Sequence, residues 1–246
     1  MQTRTRIFRA LLCGVALTGA ATAATASSLP DVRITEYMYK NENSPGEFVQ
    51  FTNLGSTPVD MSGWSEDDST DDPGVHSLSG LGTLQPGESG ILAEATQSSF
   101  DSAWDLSSSV PYVEEDGTDN LGKSDAIYLF DPDGDVVDEL QYGGYGVSSG
   151  TSGPKTDGVA AVPDSLSAIG ADDWADWELL TAGEDGAIQA YGESDGDVAS
   201  PGYSSFAVSP VPLPPAGWML AAGLALLAAT LAMGAGAPCA AQPVEA

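Results

Sequence analysis

Seven short runs of strand-forming residues, each bounded by Gly, Pro, Asp or Asn, limit how this 246-residue chain can fold. They are residues 32–39 (VRITEYMY), 47–53 (EFVQFTN), 58–61 (PVDM), 90–95 (GILAEA), 126–131 (AIYLFD), 136–142 (VVDELQY) and 187–191 (AIQAY). Runs this short, with turn-forming residues between them, build an all-β sandwich or barrel rather than a parallel sheet wrapped in helices. No stretch between them keeps a helical period, although residues 164–180 leave room for a turn or two. The surest connection is Asp131-Pro-Asp-Gly-Asp135, which predicts a tight hairpin between AIYLF and VVDEL.

The two ends of the chain read differently. Arg4, Arg6 and Arg9 precede the apolar run LLCGVALTGA and the small residues ATAATA, the pattern of a secretory signal peptide cut after Ala23 or Ala26. Near the other end, Ala216 to Ala237 is a 22-residue uncharged segment. At about 1.5 Å per helical residue it matches the roughly 30 Å hydrocarbon thickness of a bilayer. The expected organisation is a signal peptide over 1–26, a β-sandwich domain over 27–206, a Pro-rich linker over 207–215, a transmembrane helix over 216–237 and a short tail over 238–246. Residues 192–201 read as a loop, and residues 204–210 as a spacer between domain and membrane.

Charge excludes several partners. The chain has 36 acidic and 7 basic residues. Loss of the signal removes three of the arginines, leaving Arg33, Lys40, Lys123 and Lys155, so the formal charge becomes 4 − 36 = −32. Nucleic acid and anionic lipid headgroups are bound by Lys and Arg, and this domain repels both. High salt screens such self-repulsion and divalent cations bridge it. Cys13 falls in the signal and Cys239 beyond the apolar segment, so no disulfide staples the domain, whose stability must come from its core.

Catalytic patterns are missing. His76, the single histidine, stands in a Gly- and Ser-rich stretch and reads as a solvated loop residue. No Gly-x-Ser-x-Gly elbow accompanies it, and one histidine without cysteine cannot assemble a zinc site. Adjacent carboxylates are so numerous that composition alone explains them, so no pair marks a glycosidase. Two acid-rich segments are candidate calcium loops: Glu66, Asp67, Asp68, Asp71 and Asp72 in the first, and Glu114, Glu115, Asp116 and Asp119 in the second. The Asp131–Asp135 turn departs from a calcium-binding loop, because Gly134 precedes the third Asp and no Glu closes the frame.

Five elements in order carry a resemblance: Ile34-Thr-Glu36, Gly46-Glu-Phe-Val-Gln-Phe-Thr-Asn53, Val59-Asp-Met-Ser-Gly-Trp64, Leu84-Gln-Pro-Gly87 and Val137-Asp-Glu-Leu-Gln-Tyr-Gly143. Together they resemble a lamin-tail domain, over roughly Pro30 to Tyr203. Trp177 and the Ser200-Pro-Gly202 turn look like its closing region. The resemblance implies an immunoglobulin-like β-sandwich with no chemistry of its own, found in nuclear lamins and in many secreted bacterial proteins. Phe48 or Phe51, Trp64, Leu92, Ile127 and Leu129 are the expected core. The tail residues Val211, Pro212, Leu213, Pro214, Pro215 and Ala216 resemble the VPLPA form of PEP-CTERM sorting signals, which exosortases recognise. Pro215 departs from the usual Ala, and PCAAQPVEA replaces the usual basic cluster.

The expectation is therefore a non-enzymatic module, exported by a Gram-negative bacterium and held at or released from its envelope. Its implied partners are the membrane, an exosortase-type enzyme and a surface polysaccharide or protein, with no cofactor unless calcium. A calcium-dependent binding protein is the main alternative, and a carboxylate-based hydrolase the next.

Overall fold

The computed structural model describes residues 32–115, 120–143 and 154–207. The expected signal, the Val211–Ala216 motif and the apolar segment 216–237 lie outside them; among the described residues no helix is long and apolar enough to cross a membrane.

The first half of the fold holds β1 (Val32–Met38), β2 (Phe48–Asn53), β3 (Val59–Asp60), β4 (Ser65–Asp68), β5 (His76–Ser77), β6 (Thr83–Leu84) and β7 (Ser89–Ala93). Then follow α1 (Gln97–Trp104), β8 (Tyr112–Glu114), β9 (Asp125–Phe130), β10 (Val136–Tyr142), β11 (Ala161–Pro163), β12 (Trp177–Leu179), β13 (Ile188–Gln189) and β14 (Val198–Ala199). One sheet runs β12-β11-β1-β2-β7-β8 and a second β10-β9-β4-β5, with β13-β14 and β3-β6 as two-stranded ribbons. Val32, Ile34, Val49, Phe51 and Leu92 from the first sheet meet Ile127, Leu129, Leu140 and Tyr142 from the second in one apolar cluster. That is a β-sandwich, as expected, with Trp64 half-buried against its core.

A register shift in β1 lets one strand serve two cores. Its pairing with β2 slips between Ile34 and Glu36, so Val32 and Ile34 before the bulge and Tyr37 after it face the inter-sheet cluster. Met38 then points to the outer face and joins a second cluster with Phe48, Ile91, Phe100 and Trp104. Because the outer face is also covered, every residue of β1 and β2 is buried, the polar members of the alternating runs Val32-Arg33-Ile34-Thr35 and Val49-Gln50-Phe51-Thr52 included.

Two elements cover that outer face. The first is α1, which the sequence reading did not anticipate. Thr96 caps it by accepting from Ser99 N, and Phe100, Ala103 and Trp104 at i, i+3 and i+4 form its buried stripe. Phe100 packs edge-on against Phe48, ring centroids 5.4 Å apart. The second is the C-terminal segment, where part of the expected loop packs down instead of projecting: Asp197, Ala199 and Ser200 are buried, as is Ser204 at the start of the expected spacer, whose residues 208–210 lie outside the described ones. Glu36 of β1 accepts from Ser200 N (2.7 Å) and Ser200 Oγ (2.9 Å). Gln50 of β2 accepts from Gly202 N (2.7 Å) and donates to Tyr203 O (2.9 Å). Asp197 receives the backbone N–H groups of Glu42, Asn43 and Ser44 and the Ser44 hydroxyl. These bonds between residues more than 150 positions apart close the end of the chain onto its first two strands.

The hairpin between β9 and β10 forms as expected. Gly134 takes φ +82° at its tip and donates to Asp131 O, while the Asp131 carboxylate accepts from Asp133 N and Asp135 N. That carboxylate serves the turn.

Candidate functional site

Strand pairing, not sequence spacing, brings the acidic residues together. Glu47 leads into β2, and its carbonyl accepts from Glu94 N at the end of β7 (3.3 Å). Parallel pairing of β7 with β8 sets Glu114 beside Ala93, and Glu115 N donates to Ala93 O (2.8 Å). Glu47, Glu94 and Glu115 thus stand at one end of the six-stranded sheet. Opposite them, β4 places Glu66 and Asp68, two residues apart, on the side of the second sheet that faces inward. Across from Glu66, β5 places His76.

Glu47, Glu66, Asp68, His76 and Glu115 line one cavity of about 10 Å³ between the sheets, closed by Leu92 and Leu121. A space of this size holds a single water-sized sphere and no organic substrate. His76 Nε2 lies 3.6 Å from Glu115 Oε1, and both side chains are about nine-tenths buried. His76 is therefore a buried strand residue beside a carboxylate, which corrects the reading of a solvated loop histidine. Among the described residues, no three histidine or carboxylate groups stand close enough to hold a metal ion as they lie.

The electrostatics are adverse to carboxylates. Burial pushes the Glu47 carboxyl up to about 8, with the charges of Glu94, Glu115 and Asp68 adding and a hydrogen bond from Leu121 N opposing. Glu66, 3 % exposed, is held well above the ordinary carboxylate range, first by burial and then by the charges of Glu115, Asp68, Asp67 and Asp125. Glu66 occupies an inward strand position where a sandwich ordinarily carries an apolar side chain.

The remaining candidates divide. Asp67, next to Glu66 and on the opposite face of β4, accepts from Thr70 Oγ1 and Asp72 N, both at 2.8 Å, and organises the following turn. Asp71, at φ +57°, and Asp72 are exposed in that turn, and Glu114 is exposed at the end of β8. Asp116 and Asp119 lie outside the described residues. The picture of two independent acidic loops is thus corrected: Glu66, Asp67 and Asp68 form a strand, and Glu66 and Asp68 from the first segment meet Glu115 from the second. Glu47 and His76 were not among the sequence candidates. Nothing in their spacing marks them, because only the pairing of β4 with β5 and the β2-β7-β8 order place them there.

A different buried ion pair joins the sheets elsewhere. Arg33 of β1 lies 3.6 Å from Asp138 of β10 and donates to Val137 O, while Asp138 accepts from Ile34 N (2.9 Å). Burial outweighs these partners and lifts Asp138 to about 6.

Residues 25–144 match the family model of the Lamin Tail Domain. The match takes in β1 to β10, both faces of the inter-sheet core and the whole acidic cavity; β11 to β14 and the closing segment lie beyond it. The lamin-tail family is immunoglobulin-like and non-catalytic, in keeping with the mostly β architecture of this chain. No curated protein and no solved structure matches the chain.

Proposed function

We propose that this chain is an exported, non-enzymatic β-sandwich module, delivered to the cell surface or extracellular matrix of a Gram-negative bacterium and serving there as a structural or adhesive unit. The observation that carries the reading is the Lamin Tail Domain match over residues 25–144, a fold unit used for binding and scaffolding. The signal-like segment 1–26, the VPLPP motif at Val211–Pro215 and the apolar segment 216–237 support export and sorting by an exosortase-type enzyme. The excess of 36 acids over 7 bases fits a saline exterior, where screening limits self-repulsion. Its partners in this reading are uncharged or cationic surface polymers and proteins, not nucleic acid. Fractionation of cells expressing the full chain places it in the envelope and medium; recovery in the cytoplasm alone overturns the proposal.

A further inference from the structure

We propose that the open groove between the C-terminal end of α1 and the β13 segment binds a chain of uncharged sugars, with Tyr191 as the ring on which a sugar stacks. The proposal rests on the reading as a surface module and names the site and the class of polymer.

The groove encloses about 710 Å³, within the roughly 300–1,000 Å³ of ligand sites. Trp104, a member of the second apolar cluster, forms its buried floor, and Ser102, Asp105, Ile188, Gln189 and Tyr191 stand along its walls and rim. Helix α1 falls inside the matched residues 25–144 and β13 outside them, so the groove arises where the closing part of this chain meets the family domain.

Three observations point to a ligand there. The first is Tyr191, which sits in the 3₁₀ turn Ala190–Gly192 at φ +56°, a left-handed conformation that strains a bulky residue. Its side chain is 52 % exposed. Glycine adopts this backbone without strain, so what Tyr191 adds is an aromatic surface beside the groove. The second is Trp104, which is fully buried while its indole N–H has no acceptor. Buried indole N–H groups ordinarily find a partner. The groove is the space beside Trp104 that the chain leaves unfilled, and a hydroxyl oxygen seated there supplies the acceptor.

The third observation is the chemistry of the lining. Ser102, Asp105 and Gln189 offer hydrogen-bonding groups, no Lys or Arg lines the groove, and the flanking Glu184, Asp185, Glu193 and Asp195 are exposed. Such surroundings repel carboxylate, sulfate and phosphate groups. A cationic chain needs carboxylates within the groove, and Asp105 is the only one in its lining. An uncharged pyranose fits better: its apolar C–H face covers an aromatic ring, and its hydroxyls both give and take hydrogen bonds.

The test uses the full chain, purified in a detergent without a sugar headgroup and titrated in about 0.5 M sodium chloride, where charge is screened within a few Å. The neutral probes are maltohexaose, laminarihexaose, cellohexaose and mannohexaose, with an alginate oligomer and oligolysine as charged controls. Calorimetry is expected to show saturable binding of at least one neutral probe, with a Kd of roughly 10⁻⁴–10⁻³ M as suits a groove open to solvent. Tyr191→Gly is expected to weaken that binding about tenfold or more, while the melting temperature holds or rises because the backbone strain is gone. Tyr191→Phe, which keeps the ring, retains binding. No saturable binding of any neutral probe at about 10 mM, well above that range, overturns the proposal. So does binding that Tyr191→Gly leaves intact, or an alginate oligomer or oligolysine bound in place of the neutral sugars, the latter making the groove a site for a cationic peptide. Sugar binding by protein found only in the cytoplasm overturns the export reading and leaves the groove standing. Exported protein that binds no sugar does the reverse.

Discussion

Replacing Glu36 by Gln isolates the energetic role of one buried carboxyl. Glu36 is fully buried on β1 and holds the closing segment through Ser200 N and Ser200 Oγ. Burial raises it from 4.5 to about 8, against the opposing pull of those two bonds. Because the folded value lies above the unfolded one, the sign is fixed. Below pH 4.5 both states carry the proton and the group is neutral in its effect. Between pH 4.5 and 8 the unfolded chain releases the proton while the folded chain keeps it, so stability falls by about 1.4 kcal/mol per pH unit. The loss is complete above about pH 8, where it amounts to roughly 5 kcal/mol as an upper bound. Gln does not titrate and still accepts from Ser200 N. Urea unfolding of both proteins at pH 5, 7 and 8.5 and one ionic strength reads the difference. General acidic repulsion is common to both and cancels. Glu36→Gln is expected to lie within about 1 kcal/mol of the parent at pH 5 and to become several kcal/mol more stable by pH 8.5. Parallel profiles, or a variant less stable at pH 8.5, refute the reasoning.

Two further substitutions probe the long-range ties. Asp197→Ala strands the N–H groups of Glu42, Asn43 and Ser44, and a loss of about 2–4 kcal/mol is expected, since water reaches this partly exposed loop and replaces some of the bonds; chemical denaturation checks it. Arg33→Ala removes the cation beside Asp138 and is expected to destabilise by about 3 kcal/mol at pH 7.5. That loss shrinks as pH falls through about 6, where the Asp138 carboxyl takes its proton, and a loss independent of pH over 5–8 contradicts the pairing.

What could be read from sequence follows from where the determining forces act. β1, β2, β9 and β10 are runs of branched and aromatic residues between turn formers, and their local chemistry alone marks them. β4 reads Ser-Glu-Asp-Asp, residues poor in β propensity, and it is a strand only because β9 and β5 pair on either side of it. The helix α1 is eight residues with three serines, too short for a helical period to stand out, and its Thr96 cap and the Phe100–Trp104 stripe act only once Phe48 and Ile91 are beside them. The same holds for the acidic cavity. Composition flagged the Glu66 and Glu115 segments, but their meeting with Glu47 and His76 is a product of sheet order. Glu36 and the Ser200-Pro-Gly202 turn, 164 residues apart, were visible as separate family-like elements, and only the fold shows that one holds the other.

Mass spectrometry of the mature chain, recovered from cells and medium, tests the exported-module account most directly. The account predicts an N-terminus near Ser27 and a C-terminus between Val211 and Ala216 in the processed form. An intact Met1 on cytoplasmic protein contradicts it.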